Sequence, residues 1–148
     1  MVAGAVAAAA VVLTLSLGAA PAFAGPGDHG NYPGSSCTSN SSIITTRAIE
    51  NELGQVVGSA QLWYSWNCET NWIQVPGNAA GGNTVKDIRV SGGTWMPQEI
   101  DYGNVMSFTR MVYAPGTTCV DFQVHLYYPN GHSYGETYDA FANYQTAC

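Results

Sequence analysis

Gln61-Leu62-Trp63-Tyr64-Ser65-Trp66-Asn67-Cys68-Glu69-Thr70-Asn71-Trp72 decides how this chain folds. Large side chains recur at Leu62, Tyr64 and Trp66, while Gln61, Ser65 and Asn67 fall between them. A period of two marks a half-buried strand, because successive side chains of extended backbone point to opposite faces. Polar residues around Cys68 supply a turn, and Trp72-Ile73-Gln74-Val75 runs back as the next strand until Pro76-Gly77 stops it. Tyr64, Trp66 and Trp72 are expected to pack around the cysteine. Trp63 sits on the polar face and breaks the alternation.

Upstream, Ile43-Ile44-Thr45-Thr46 favours a strand over a helix, since β-branched side chains lose rotamer freedom in a helix. Glu50-Asn51-Glu52-Leu53-Gly54 reads as the turn and 55–66 as the returning strand. Residues equidistant from a hairpin turn face each other, and the midpoint of Cys37 and Cys68 falls inside this turn. Antiparallel neighbours lie about 4.5 to 5.5 Å apart at Cα, within disulfide reach. The hairpin therefore pairs Cys37 with Cys68 and leaves Cys119 for Cys148.

Downstream, 78–83 is a Gly- and Ala-rich loop, and 84–90 is a strand with Ile88 and Val90 on one face and Asp87 and Arg89 on the other. A short apolar segment ends at Pro97, and 105–113 is a further strand whose alternation Arg110 interrupts. The last element is a hairpin about Pro129-Asn130-Gly131. With Gly131 left-handed in a three-residue turn, Tyr128 opposes His132, and Phe122, Val124 and Leu126 share a face with Tyr134, Tyr138 and Ala140. That register also puts Glu136 on the core face unless it reaches water at the sheet edge, and turns Asp121, Gln123, His125, Tyr127, Thr137 and Asp139 outward. Seven or eight short strands with Gly, Pro and Asn turns predict an all-β fold, an antiparallel sandwich or open barrel.

Residues 1–24 resemble a secretory signal peptide, an apolar run ending in Ala22-Phe23-Ala24. The first basic residue is Arg47, which suggests a true start upstream of Met1. Residues 25–42 read as a flexible leader and 43–148 as a single β domain. A secreted or envelope-associated monomer without stable membrane insertion is expected. The 148-residue chain is 46% hydrophobic with a net charge of −6, which predicts a folded, acidic protein. Without a basic cluster it does not suit nucleic acid or anionic lipid, so a neutral partner fits better: a cell-wall glycan or another secreted protein. Four cysteines in a secreted chain imply two disulfides rather than a zinc site, and no metal or cofactor is expected.

Leu62-Trp63-Tyr64-Ser65-x-x-Cys68-x-x-Asn71-Trp72-x-x-Val75, with Cys37 upstream, resembles the signature of small secreted proteins of high-GC Gram-positive bacteria, a family catalogued only as a domain of unknown function. The likeness is most specific over about forty residues from Cys37 and weaker around Thr109-Arg110-Met111-Val112. Trp63 and Gln74 stand where such proteins usually carry arginine or a similar polar residue. The resemblance implies a disulfide from the upstream cysteine to Cys68, in agreement with the hairpin midpoint. It implies no catalytic residue.

No catalytic set is assigned from the residues. His29 lies in the leader and His132 in a turn, and His125 is the one histidine within a strand. Trp63 and Tyr127, aromatics on polar faces, are the candidate ligand-binding residues, a platform for sugars or partner side chains. The leading expectation is a non-enzymatic binding domain stabilised by disulfides. The alternatives are a protease inhibitor or toxin-like effector presenting loop 78–83, and a small hydrolase using His125 or Glu136 with Asp139.

Overall fold

A computed structural model describes residues 28–137 and 143–148. The expected signal peptide 1–24 lies outside the described residues, as do Tyr138, Asp139 and Ala140. One helical turn, Ser35–Thr38, precedes ten strands: β1 (Ser41–Glu50), β2 (Val56–Ser65), β3 (Thr70–Val75), β4 (Asn83–Val90), β5 (Glu99–Tyr102), β6 (Ser107–Phe108), β7 (Val112–Tyr113), β8 (Val120–Tyr127), β9 (Ser133–Glu136) and β10 (Gln145–Ala147). Backbone hydrogen bonds order eight of them β5-β4-β8-β9-β1-β2-β3-β6, with β7 added to β3 and β10 to β8. Every pairing is antiparallel, and the sheet nearly closes into a barrel, the open form of the two expected architectures. Among the described residues no helix is long and apolar enough to cross a membrane.

The β1–β2 hairpin forms as its sequence dictates. Asn51 Oδ1 accepts from the backbone N–H groups of Leu53 and Gln55, both at 3.0 Å, and Gly54 takes the left-handed conformation, φ 71°. The ladder runs from Glu50 opposite Val56 to Ser41 opposite Ser65, with irregularities at Ile44 and at Val57. At the open end Cys37 and Cys68 form a disulfide with Cα atoms 5.3 Å apart, and Cys119 and Cys148 form the second, at 4.0 Å.

Leu62, Ile73, Val75, Ile88, Phe122, Val124 and Leu126 have no exposed surface and meet inside the barrel. Burying a side chain of this size contributes roughly 1.5–3 kcal/mol. β4 keeps its expected alternation, with Ile88 in the core and Val90 packed against it. Thr84, Lys86 and Ile88 are all fully buried, so a lysine shares the core face with Ile88. Its Nζ lies 2.6 Å from Asp101 Oδ2 on β5, which makes the burial of the charge tolerable.

A second layer covers the outside of β2 and β3. Trp63 and Trp72 are cross-strand partners whose rings stack at 5.9 Å and 10°, and they pack with Cys37, Cys68 and Met111. From Gly30 onward the leader is tied to the sheet by hydrogen bonds and the first disulfide. Gly30 N–H donates to the Met111 carbonyl and Met111 N–H to the Asn31 carbonyl, both at 2.8 Å, while the disulfide holds Cys37 and β1 already begins at Ser41. Of the aromatics expected around the bridge, Trp72 is buried, Tyr64 is half-buried and Trp66 is 53% exposed. Trp66 follows the end of β2, where no strand remains to cover it, and rests edge-on against Tyr64 at 5.3 Å.

The 105–113 segment forms two short strands rather than one. β6 and β7 occupy the same edge of β3, and between them Thr109 replaces part of the ladder, its Oγ1 accepting from Ile73 N–H at 3.0 Å. Arg110, turned out by this interruption, reaches Glu99 of β5 at 2.8 Å, and Tyr32 donates to the same carboxylate at 2.7 Å. Side chains thus tie together the two ends of the sheet.

The last hairpin has the expected turn and a different register. Gly131 is left-handed, φ 85°, and Tyr128 N–H bonds to the His132 carbonyl at 2.9 Å. Tyr127 opposes Ser133, but Leu126 opposes Gly135, so the ladder slips by one residue at Tyr134. The bulge moves Glu136 off the core face to a position opposite His125, and brings Thr137 inward, where Val124 N–H donates to its Oγ1 at 3.0 Å. Close packing selects the slip. Gly135 is buried against Val57 and the Glu50 backbone, a site with no room for a Cβ. Asp121, expected in water, is buried beside Arg89, Ser91 and Thr146 because β10 runs alongside it.

Candidate functional site

Strands β4 and β8 lie side by side, with Asp87 opposite Gln123 and Val85 opposite His125. Since Ile88, Val124 and Leu126 take the inner face, Val85, Asp87, Gln123, His125 and Tyr127 take the outer one. A groove of about 370 Å³ runs over them, lined by Asn83, Val85, Gln98, Gln123, His125, Tyr127 and Gly131. Tyr127 therefore lies in a concave surface.

The groove is built on a buried anion. Asp87 is 6% exposed, and its carboxylate accepts from Gln123 Nε2 at 2.9 Å and from Gln98 Nε2 at 3.1 and 3.3 Å. A carboxylate can only accept here, so it fixes which end of each amide faces it, and each Oε1 is turned away. His125 is held in the same manner. Its Nδ1 lies 3.0 Å from Glu136 Oε2, and its ring stacks loosely on Tyr127 at 6.4 Å and 28°. With the proton on Nδ1, the neutral ring presents Nε2 as an acceptor. The loop behind the groove is equally fixed, since the buried Asn78 donates through Nδ2 to the carbonyls of Asn83, at 3.0 Å, and Tyr127, at 2.9 Å. This loop, 78–83, is thus braced against β8.

A larger concavity of about 660 Å³ lies on the other side of the β8–β9 hairpin, between it and the β1–β2 turn. Glu50, Glu52, Leu53, Tyr128, Tyr134 and Glu136 are among its walls, and Tyr128 and Tyr134 meet edge to face at 4.9 Å. Glu50 and Glu136 are direct cross-strand partners. Like charges so placed repel, and the walls are turn residues such as Glu52 and the 81%-exposed Leu53. It is a more acidic surface than the groove.

Trp63 is not brought near Tyr127. One ring face lies against Trp72, and its Nε1 is buried with no hydrogen-bond partner among the described residues, a setting of packing against the second layer. His29 Nδ1 accepts from Tyr113 N–H at 3.2 Å, and His132 stays in its turn. His125 and Glu136 do come together, while Asp139 lies outside the described residues. Asp28, Cys37 and Cys68 offer ligand atoms within 4.8 Å of one another, but both sulfurs are committed to the disulfide and cannot serve as thiolates.

Asp121 supports the fold rather than the groove. Burial works to raise its proton affinity, but hydrogen bonds from Ser91, Thr146 and Arg89, with the charge of Arg89, outweigh it and hold the carboxyl below the usual range. Arg89 in turn lies over Trp95 at 4.3 Å and Tyr144 at 4.8 Å.

The sequence pointed to Tyr127 and His125 but not to Asp87, Gln98 or Glu136 as parts of one surface. The alternation of 84–90 put Asp87 on the outer face. What it lacked was the neighbour, because the β4–β8 pairing joins residues some 36 positions apart. Comparison of the chain with models of protein families, with curated proteins and with solved structures finds no match.

Proposed function

We propose that this protein is a non-enzymatic binding domain that works outside the cell, secreted as a monomer and retained in or near the envelope. Its resemblance to small secreted actinobacterial-type proteins supports that setting, and two disulfides in a β fold suit an oxidising compartment. The ligand surface is the groove on β4 and β8. One observation carries this assignment: the polar side chains at its surface are anchored from behind, Gln98 and Gln123 by Asp87 and His125 by Glu136. Preorganised donors and acceptors lose little entropy on binding, which is how a shallow surface gains affinity.

The test is co-sedimentation of the purified domain with insoluble cell-wall material, comparing Tyr127→Ala with Tyr128→Ala. Loss of binding in the first variant only is the expected result. Equal binding by both, or no binding by the unaltered protein, would remove the assignment. The His125–Glu136 pair favours hydrolysis as a second function, with His125 as general base. Time-dependent release of soluble fragments from the same material, abolished in His125→Asn, would establish it in place of simple binding.

A further inference from the structure

We infer that the groove takes an uncharged saccharide, bound through its hydroxyls and one C–H ring face; the inference rests on the groove being the binding surface. The polarity of the groove carries it. Each Nε2 donates to Asp87, at 2.9 Å from Gln123 and 3.1 Å from Gln98, so both amides are held in one orientation, with Oε1 and a second N–H left beyond the carboxylate. His125, bound through Nδ1 to Glu136, leaves Nε2 for the ligand. A surface of fixed acceptors and donors suits a ligand whose groups do both, as hydroxyls do.

Position narrows the class. Gln123, His125 and Tyr127 alternate along one strand, so neighbouring members of the row are about 7 Å apart, close to the span of one pyranose ring. Tyr127 and the half-buried Val85 supply apolar surface for the C–H face of the ring, and the phenol is held in place beside the imidazole. The charge of the ligand is settled by Asp87 and Glu136. Two carboxylates just behind the contact atoms repel an anionic sugar, and in a chain of net charge −6 no described cation lines the groove to offset them.

Asp87 is on this account a positioning residue. Asp87→Asn keeps the shape but presents an amide, which releases the two glutamines to flip and loses the fixed order of their donors and acceptors.

The experiment is amide and side-chain NMR titration of the full folded domain with cellohexaose, chitohexaose and xylohexaose as neutral probes and hexaguluronate as the anionic one. The expected result is saturable shifts at 123–127 and in the Gln98 and Gln123 side-chain NH₂ signals with at least one neutral probe. Affinity for hexaguluronate should be at least tenfold weaker. Gln123→Leu, which removes the whole amide while Gln98 still holds Asp87, should weaken the neutral probe about tenfold with the fold retained. Asp87→Asn should do the same, and its Gln98 and Gln123 NH₂ signals should lose their protection from exchange. If Asp87→Asn does not fold, Gln123→Leu and Gln98→Leu alone decide the matter. Binding of the anionic probe as tightly as the neutral ones, or neutral binding untouched by both leucine variants, overturns the inference. If no sugar binds but cell-wall material still shifts 123–127, the saccharide class fails while the groove stands; if those residues move with nothing, both fail.

Discussion

Replacing Asp101 should damage the fold more than replacing the lysine it pairs with. Lys86 has no exposed side-chain surface, and its ammonium has Asp101 Oδ2 at 2.6 Å and the Thr84 carbonyl at 3.5 Å. Asp101→Ala leaves a buried cation with only the longer contact. Breaking a buried pair from one side costs about 3–5 kcal/mol, and because the Asp101 side chain is 43% exposed the lower end, about 3 kcal/mol, applies. Lys86→Met removes the charge, keeps the stem that packs beside Ile88, and frees a carboxylate already able to hydrate. Its stability should stay within about 1 kcal/mol of the parent. A domain of this size unfolds with an entropy of about 0.25 kcal/mol/K, so Asp101→Ala should lower Tm by about 12 °C and Lys86→Met by less than about 4 °C. Urea unfolding followed by tryptophan fluorescence measures both. A reversed order, with Lys86→Met losing more than about 3 kcal/mol and Asp101→Ala almost nothing, would show that the pair is not what accommodates the charge.

Other consequences can be measured on the same material. Removing the first disulfide with Cys37→Ser and Cys68→Ser should cost roughly 3–4 kcal/mol from loop entropy and red-shift the emission of Trp63 and Trp72, which pack on it; an unchanged spectrum would detach the tryptophans from the bridge. Gly82→Ala should be among the most damaging alanine substitutions, more than about 2 kcal/mol, because the new Cβ would overlap the backbone of Tyr127 and Tyr128; calorimetry showing less than about 0.5 kcal/mol would mean that the loop can move away. Asp121 sets an acid limit. Its folded pKa is depressed, so its contribution is complete above the unfolded-state value near 4 and is lost as pH falls through the lower folded value. Asp121→Asn should therefore be less stable at pH 7 and lose less between pH 5 and pH 2; an acid profile parallel to the parent's would reject this role.

The features legible in the sequence are those set by neighbours along the chain. Hydrophobic alternation and turn residues located the β1–β2 hairpin, the first disulfide followed from its midpoint, and Pro129-Asn130-Gly131 specified the last turn. Register failed where packing between distant strands decided it. The slip at Tyr134 is imposed by Gly135 fitting against Val57 and Glu50, contacts from the other half of the chain. Lys86 and Asp121 were hidden for a related reason: a charge is read as exposed until its partner is known, and Asp101 and Arg89 become partners only once β4, β5 and β8 align. In the groove, Tyr127 stood out by its residue type, whereas Asp87 acquires meaning only through Gln123 and Gln98.

The layer over Trp63 and Trp72 also bears on the order in which the molecule assembles. Cys37 finds Cys68 31 residues later, within one hairpin, so that bridge can close early. The backbone bonds of Gly30 and Asn31 wait for Met111, some eighty residues further on and itself positioned by β6 and β7 against β3. Distant pairing of this kind is slow. The segment that leaves the ribosome before the barrel is among the last parts to be seated, and until Met111 arrives the outer faces of two tryptophans stay open to solvent and to chaperones.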